Sequence, residues 1–208
     1  TLNGLQGGEN LATSGTGSIS SKNVGSGKTV TLGSLALGNG SGGTPGTATN
    51  YTFTGGTHTF DVTTRNVTFS GTRVYDGTTT VNASDLTTIN NLVGSETLTF
   101  NGSGTVASGN VGTGKSITNG SLALVSGTGS ASNYNLTTGT YDITQRWVNF
   151  SGSRAYDATT SVSNSVLTMS NLVSGETLGV SGSGTMTTAT IGAGKSVSLG
   201  TLALANGS

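Results

Sequence analysis

The stretch NVTFSGTRVYDGTT (Asn66-Val67-Thr68-Phe69-Ser70-Gly71-Thr72-Arg73-Val74-Tyr75-Asp76-Gly77-Thr78-Thr79) returns as VNFSGSRAYDATT at 148–160, with Tyr75 and Tyr156 81 positions apart. Self-similarity at a fixed period marks a chain built from repeated units. GSETLTFNGSGT at 94–105 returns as SGETLGVSGSGT at 174–185, and GGENLATSGTGS at 7–18 is an earlier copy. A lysine segment recurs as NVGSGKTVTLGSLAL (23–37), NVGTGKSITNGSLAL (110–124) and TIGAGKSVSLGTLAL (190–204). A closing segment recurs as NYTFTGGTHTFDVTTR (50–65) and NYNLTTGTYDITQR (133–146). In this phase the chain holds the later part of one repeat (1–65), a complete repeat (66–146) and the start of a third (147–208). It reads as a segment of a longer tandem array.

The charges obey the same period. Glu9, Glu96 and Glu176 are equivalent, as are Lys28, Lys115 and Lys195. Asp61 corresponds to Asp142, Arg65 to Arg146, Arg73 to Arg154, and Tyr75-Asp76 to Tyr156-Asp157. Only Lys22 and Asp85 stand outside the pattern. Charges placed so regularly read as structural, doing one job in each unit.

Composition narrows the class. Of 208 residues 36 are Gly, one is Pro, 8% are charged and 5% aromatic. Disordered chains carry more charge and proline, whereas Thr, Val, Ile and Leu in short alternating runs suit pleated strands. A net charge of zero provides no basic face for nucleic acid or an anionic membrane. No apolar run approaches the length that spans a bilayer. The absence of cysteine excludes disulfides, thiolate metal sites and Cys nucleophiles, and fits a large exported bacterial protein.

The complete repeat reads as strands over 66–71, 78–83, 96–107, 115–125 and 134–144, with breaks at Gly102–Gly104 and a hairpin turn at Asn119-Gly120. No stretch has the period of an amphipathic helix. The expected fold is all-β: tandem Ig-like sandwiches of about 80 residues, with a β-grasp-like or solenoid arrangement as alternatives. The expected core includes Val67, Phe69, Leu98, Phe100, Ile117, Leu122, Leu124, Leu136 and Ile143. At the junctions, Phe60 and Val62 have opposite parity to Val67 and Phe69, and Tyr141 and Ile143 to Val148 and Phe150. An odd step moves the apolar set to the other face, so the chain leaves one core at Arg65 or Arg146 and enters the next. No flexible linker intervenes, which predicts a fairly stiff rod.

Candidate chemistry is sparse. GNVGTGKS (109–116) fits the phosphate-binding G-x-x-x-x-G-K-[ST] pattern, but strand-like sequence follows it where a helix is needed. The Gly109 position is Lys22 and Ala189 in the sister copies, so the pattern reads as a Gly-rich turn leading a strand. The lone histidine, His58, has no counterpart and reads as a solvent-facing strand residue. Asp76 and Glu96 could meet, but no cleft is indicated and no Asp-rich loop has calcium-ligand density. No catalytic, cofactor-binding or metal-binding residue is expected. Lys115 reads either as an ion-pair or turn-anchoring partner of Glu96, or as half of a Lys–Asn isopeptide bond. Tyr75 reads as packed at the core edge, and Asp76 as capping the following turn.

Arg73-Val74-Tyr75-Asp76-Gly77-Thr78-Thr79-Thr80, Gly94-Ser95-Glu96-Thr97-Leu98, Asn110-Val111-Gly112-Thr113-Gly114-Lys115, Asn133-Tyr134-Asn135-Leu136 and Tyr141-Asp142-Ile143-Thr144, in that order, resemble the YDG repeat. That repeat and the related MBG repeat occur in tandem in very large bacterial surface proteins of the filamentous-haemagglutinin and adhesin kind. Two departures are Ala158 where the family has Gly, and Glu96 or Glu176 where Asp is usual. The resemblance implies an extracellular all-β repeat in an adhesin shaft, without enzymatic activity. Expected partners are neighbouring repeats, other copies in a fibre or biofilm matrix, and, in a rival reading, host or matrix glycans or proteins. Trp147, the only tryptophan, corresponds to Asn66 and so marks no repeated sugar site.

Overall fold

A computed structural model describes residues 2–53 and 58–207, and among them the protein is all-β. The first repeat contributes β1 (Ala12–Ser14), β2 (Ser18–Ile19), β3 (Gly25–Thr31), β4 (Ala36–Gly38) and β5 (Thr59–Val62). The complete repeat contributes β6 (Arg65–Val74), β7 (Thr80–Asn82), β8 (Leu86–Asn90), β9 (Leu98–Asn101), β10 (Ser103–Val106), β11 (Gly112–Thr118), β12 (Ala123–Ser126) and β13 (Tyr134–Thr144). The third contributes β14 (Asn149–Gly152), β15 (Ser161–Ser163), β16 (Leu167–Ser170), β17 (Leu178–Ser181), β18 (Ser183–Met186), β19 (Val197–Ser198) and β20 (Ala203–Asn206). The helices among the described residues are single 3-10 turns.

The complete repeat forms a sheet in the order β7-β10-β11-β13-β6-β8, accompanied by the ribbon β12-β9. Thr137 Oγ1 donates to Val67 O, the Tyr75 amide to Thr144 O, and Thr144 Oγ1 to Arg73 O. The two strands advance together through these ties, so β6 and β13, the first and last of the repeat, run parallel. In the first repeat the order is β2-β3-β5, with β3 and β5 antiparallel. In the third the corresponding strands make two separate sheets, β15-β18-β19 and β14-β16.

Two compact units result, the first comprising the described residues of Thr1–Ser70, Asn82–Gly104 and Thr118–Gly139, the second those of Gly71–Val81, Thr105–Ile117 and Thr140–Ser208. The first unit buries Val67, Phe69, Leu86, Leu98, Leu122 and Tyr134. Ile89, Leu92, Leu124, Ala131 and Leu136 pack against its Val67-Leu98-Tyr134 cluster. The second buries Val81, Val106, Ile117, Tyr141, Ile143 and Val162. Of the expected core, Phe100, Leu124 and Leu136 are half-buried rather than buried. Phe100 and Leu124 face each other across the two-stranded ribbon of β9 and β12.

Period-two alternation accounts for the strands. In β13, Tyr141 and Ile143 are buried while Thr140 and Thr144 are exposed. Beyond Arg146 the half-buried positions are Val148 and Phe150, of the opposite parity. Two sequence expectations need correction. The strand β8 was not foreseen: a 3-10 turn at Ala83–Asp85, with reciprocal Asn82 and Asp85 capping bonds, separates it from β7. Asn119-Gly120 does not join paired strands. The turn is closed by the Leu122 amide on Asn119 O with Gly120 at φ 55°, and it hands the chain from the large sheet to β12, which pairs with β9.

Candidate functional site

The recurrent residues gather at three devices: a junction clasp, a lysine bulge and the Tyr-Asp turn. The clasp lies where one repeat passes to the next. Arg65 donates through Nε to Asn91 O at 2.8 Å and through Nη2 to Asn91 Oδ1 at 2.6 Å. The Asn91 amide returns a bond to Asn66 O at 2.8 Å. Arg146, Asn171 and Trp147 O repeat this arrangement, with 2.7, 2.9 and 2.7 Å bonds. Asn91 and Asn171 sit at φ 73° and 64°, a region in which asparagine is favoured among residues with a side chain. An arginine closing one repeat thus grips a left-handed asparagine in the next. The sequence reading missed both asparagines, although Asn91-Leu92-Val93 recurs as Asn171-Leu172-Val173.

Glu96 and Glu176 are also junction groups. Glu96 Oε2 accepts from Tyr134 of its own repeat, and Glu96 Oε1 lies 3.8 Å from Lys22 Nζ of the preceding one. Tyr51 donates to Glu9 in the same way. Glu176 Oε1 instead accepts from Tyr75 of the preceding repeat. Donation to a carboxylate raises all three phenols, Tyr51, Tyr75 and Tyr134, above their ordinary value. Lys22, which stood outside the repeat pattern, therefore has a junction role, as does Asn133, which accepts from the Val24 amide at 2.9 Å and donates to Asn23 at 3.0 Å. The partners of Glu96 among the described residues are thus Tyr134 and Lys22.

In the first two copies the lysine segment lies within a strand, β3 and β11, whereas in the third it precedes β19 as a turn leading a strand. In β3 the register shifts between Gly25 and Lys28 opposite β5. Gly27 and Gly114 take φ 61° and 63°, and their amides donate to Asp61 Oδ1 and Asp142 Oδ1, both at 2.7 Å. The lysine folds back over the glycine three residues earlier: a Cβ on Gly112 would stand 3.0 Å from Lys115 Cε, and one on Gly25 3.1 Å from Lys28 Nζ. Gly-x-Gly-Lys is therefore read out by geometry, one glycine making room for the lysine and the other supplying the left-handed bulge. The anion met by the loop that mimics a phosphate cradle is the chain's own aspartate. Lys195 bonds Thr188 Oγ1 at 2.8 Å and Thr190 Oγ1 at 3.1 Å.

The Tyr-Asp turn is closed by its own arginine. Asp76 Oδ1 accepts from the Thr78 amide at 2.9 Å and hydroxyl at 3.0 Å, and lies 3.1 Å from Arg73 Nη2. Arg73 also lies 5.7 Å over the Tyr141 ring. Burial pushes the Asp76 carboxyl up, but the Thr78 bonds and the guanidinium outweigh it and hold the group below its ordinary value. Asp157 is lowered by the Thr159 amide first, then its hydroxyl and Arg154, against a contribution from burial. Gly77 and Ala158 share the left-handed conformation, at φ 77° and 59°. The cap on the turn is as expected for Asp76, whereas Tyr75 is drawn to Glu176 rather than simply packed at a core edge. His58 is half-buried, its ring edge-on to Phe53 at 5.9 Å, rather than facing solvent.

Among the described residues no cluster of three or more His, Asp or Glu side chains is placed to hold a metal, and no helix is long and apolar enough to cross a membrane. The YDG domain family matches residues 61–141 and again 143–208. The chain belongs to the YDG domain family. No curated protein and no solved structure matches it.

Proposed function

We propose that the chain is a piece of the shaft of a secreted bacterial adhesin or extracellular matrix fibre, in which tandem repeats support cell adhesion or biofilm formation. The observation that carries this reading is the recurrence of the Arg–Asn clasp at successive junctions, Arg65 on Asn91 and Arg146 on Asn171. A direct hydrogen-bonded clasp with no linker suits a load-bearing, stiff succession of units of about 80 residues. The divisions 1–65, 66–146 and 147–208 then mark the units. Within the complete repeat, the parallel pairing of first and last strands in a mixed sheet favours the β-grasp-like alternative over an Ig-like sandwich. The proposed location is the cell surface, the partners are neighbouring repeats and other copies in a fibre, and no reaction is assigned.

Single-molecule pulling tests the reading. Evenly spaced force peaks are expected, lowered when Arg65 or Arg146 is replaced by alanine. Unfolding at negligible force, or a compact globule by X-ray scattering, sinks it. A second reading, a glycan- or host-protein-binding module, is favoured by Trp147, 88% exposed. A glycan array with the intact chain, compared with Trp147→Ala, separates the two.

A further inference from the structure

The chain enters the complete repeat through β6, at Arg65, and leaves it through β13, at Thr144, two residues before Arg146. These strands have ten and eleven residues, the longest among the described residues, and they are neighbours in the sheet. Tension between the two clasps therefore pulls the start of β6 one way and the end of β13 the other. In a parallel pair those pulls run along the strands, so every rung of the ladder is loaded at once. Side chains add ties at both ends. At the entry end Asn135 Nδ2 donates to Asn66 Oδ1 at 3.0 Å and Thr137 Oγ1 to Val67 O at 2.7 Å. At the exit end the Tyr75 amide donates to Thr144 O at 2.9 Å and Thr144 Oγ1 to Arg73 O at 3.2 Å. Strands β7 to β12 lie within the loop that the pair closes, so tension reaches them only once the pair has parted.

We propose that β6 and β13 are the force-bearing clamp of the repeat, resisting tension in shear while the rest of the sheet stays unloaded. That such tension arises rests on the shaft reading above. Rupture under load follows the rate of crossing the unfolding barrier rather than the equilibrium stability. In shear, sliding by a single residue (~3.3 Å) breaks all the rungs together and leaves their backbone groups unpaired. Pulled apart from one end, the same strands lose their rungs singly, with only one bond opposing the force at a time. The clamp is thus directional. It is strong between the two ends that the chain itself loads, and weak between the two strand starts.

The chain has no cysteine, so introduced pairs give unique pulling points. Thr64→Cys with Gln145→Cys loads the pair in shear within the full chain, and Thr64→Cys with Ser132→Cys peels it; all three side chains are exposed. Both cysteine pairs sit on one fold, so its equilibrium stability cancels from the comparison. The shear force is expected to exceed the peeling force by about twofold or more, each shear event releasing on the order of 250 Å of chain. Thr144→Val, at an exposed site, should lower the shear force and leave the peeling force unchanged, because peeling reaches that end last. Equal forces in the two directions, or a stronger peel, overturn the clamp, and if both forces are high the shaft reading still stands. A Thr144→Val effect that is the same in both directions likewise overturns the clamp. Negligible force in both directions overturns the clamp and the shaft reading together.

Discussion

The complete repeat and the third repeat share one order of sequence motifs and differ in their interiors. Phe69 is buried where Phe150 is half-buried, and Ile117 where Val197 is half-buried. Tyr75 is half-buried while Tyr156 is exposed. The aspartate caps of the two Tyr-Asp turns nevertheless agree, Asp76 with Thr78 and Asp157 with Thr159. The local turn is therefore kept where the burial around it differs. Short-range hydrogen bonds need only neighbours in sequence, but a sheet interior needs every strand in place.

The largest expected effect tests that contrast directly. Ile143→Ala should destabilise the chain by about 2–4 kcal/mol in urea unfolding, while Val197→Ala should cost under about 1 kcal/mol, because only the first leaves a cavity in a closed core. Equal costs would break the comparison. Next is Gly139→Ala. A Cβ there would stand 2.4 Å from the Phe69 ring, and overpacking should cost about 1–3 kcal/mol. Third, Arg146→Ala should lose about 1 kcal/mol in thermal melts, and Arg65→Ala the same, if the two clasps are equivalent.

Ala158→Gly has the opposite sign. It removes a side chain from a left-handed residue at φ 59° and should stabilise the third repeat by about 1 kcal/mol, bringing its turn to the Gly77 form. The smallest effect is that of pH. Asp76 and Asp157 are lowered in the folded chain, so their contribution is complete above about pH 4 and is lost as pH falls through the folded values. Tyr51, Tyr75 and Tyr134 are raised, so theirs is complete below about pH 10 and is lost as pH rises through the folded values. Tyr75→Phe should remove part of the alkaline loss in a pH series of melts, and an unchanged alkaline limb would contradict its bond to Glu176.

Much of this architecture was legible in single residues. Period-two alternation located β13 to its end residues, Tyr134 and Thr144, and the fixed period equated Glu9 with Glu96 and Glu176. Gly-x-Gly-Lys could be recognised as a recurrent unit from its sister copies alone. Its meaning could not, because the carboxylate that satisfies the Gly114 amide lies 28 residues away, on a strand paired only after folding. Asn91 escaped notice for a related reason: its left-handed φ and its grip by Arg65 are set across 26 residues.

The sequence by itself determined the all-β class, the repeat and the turn chemistry, since these follow from side-chain alternation and bonds between near neighbours. Only the tertiary structure decided that the last strand of a repeat enters beside its first. It also decided that Glu96 meets Tyr134 and Lys22. Backbone groups in strands are chemically alike, so local sequence does not name their partners. Which strand takes which neighbour follows from burying Tyr141 and Ile143 together with Val81, Val106 and Ile117 in one interior.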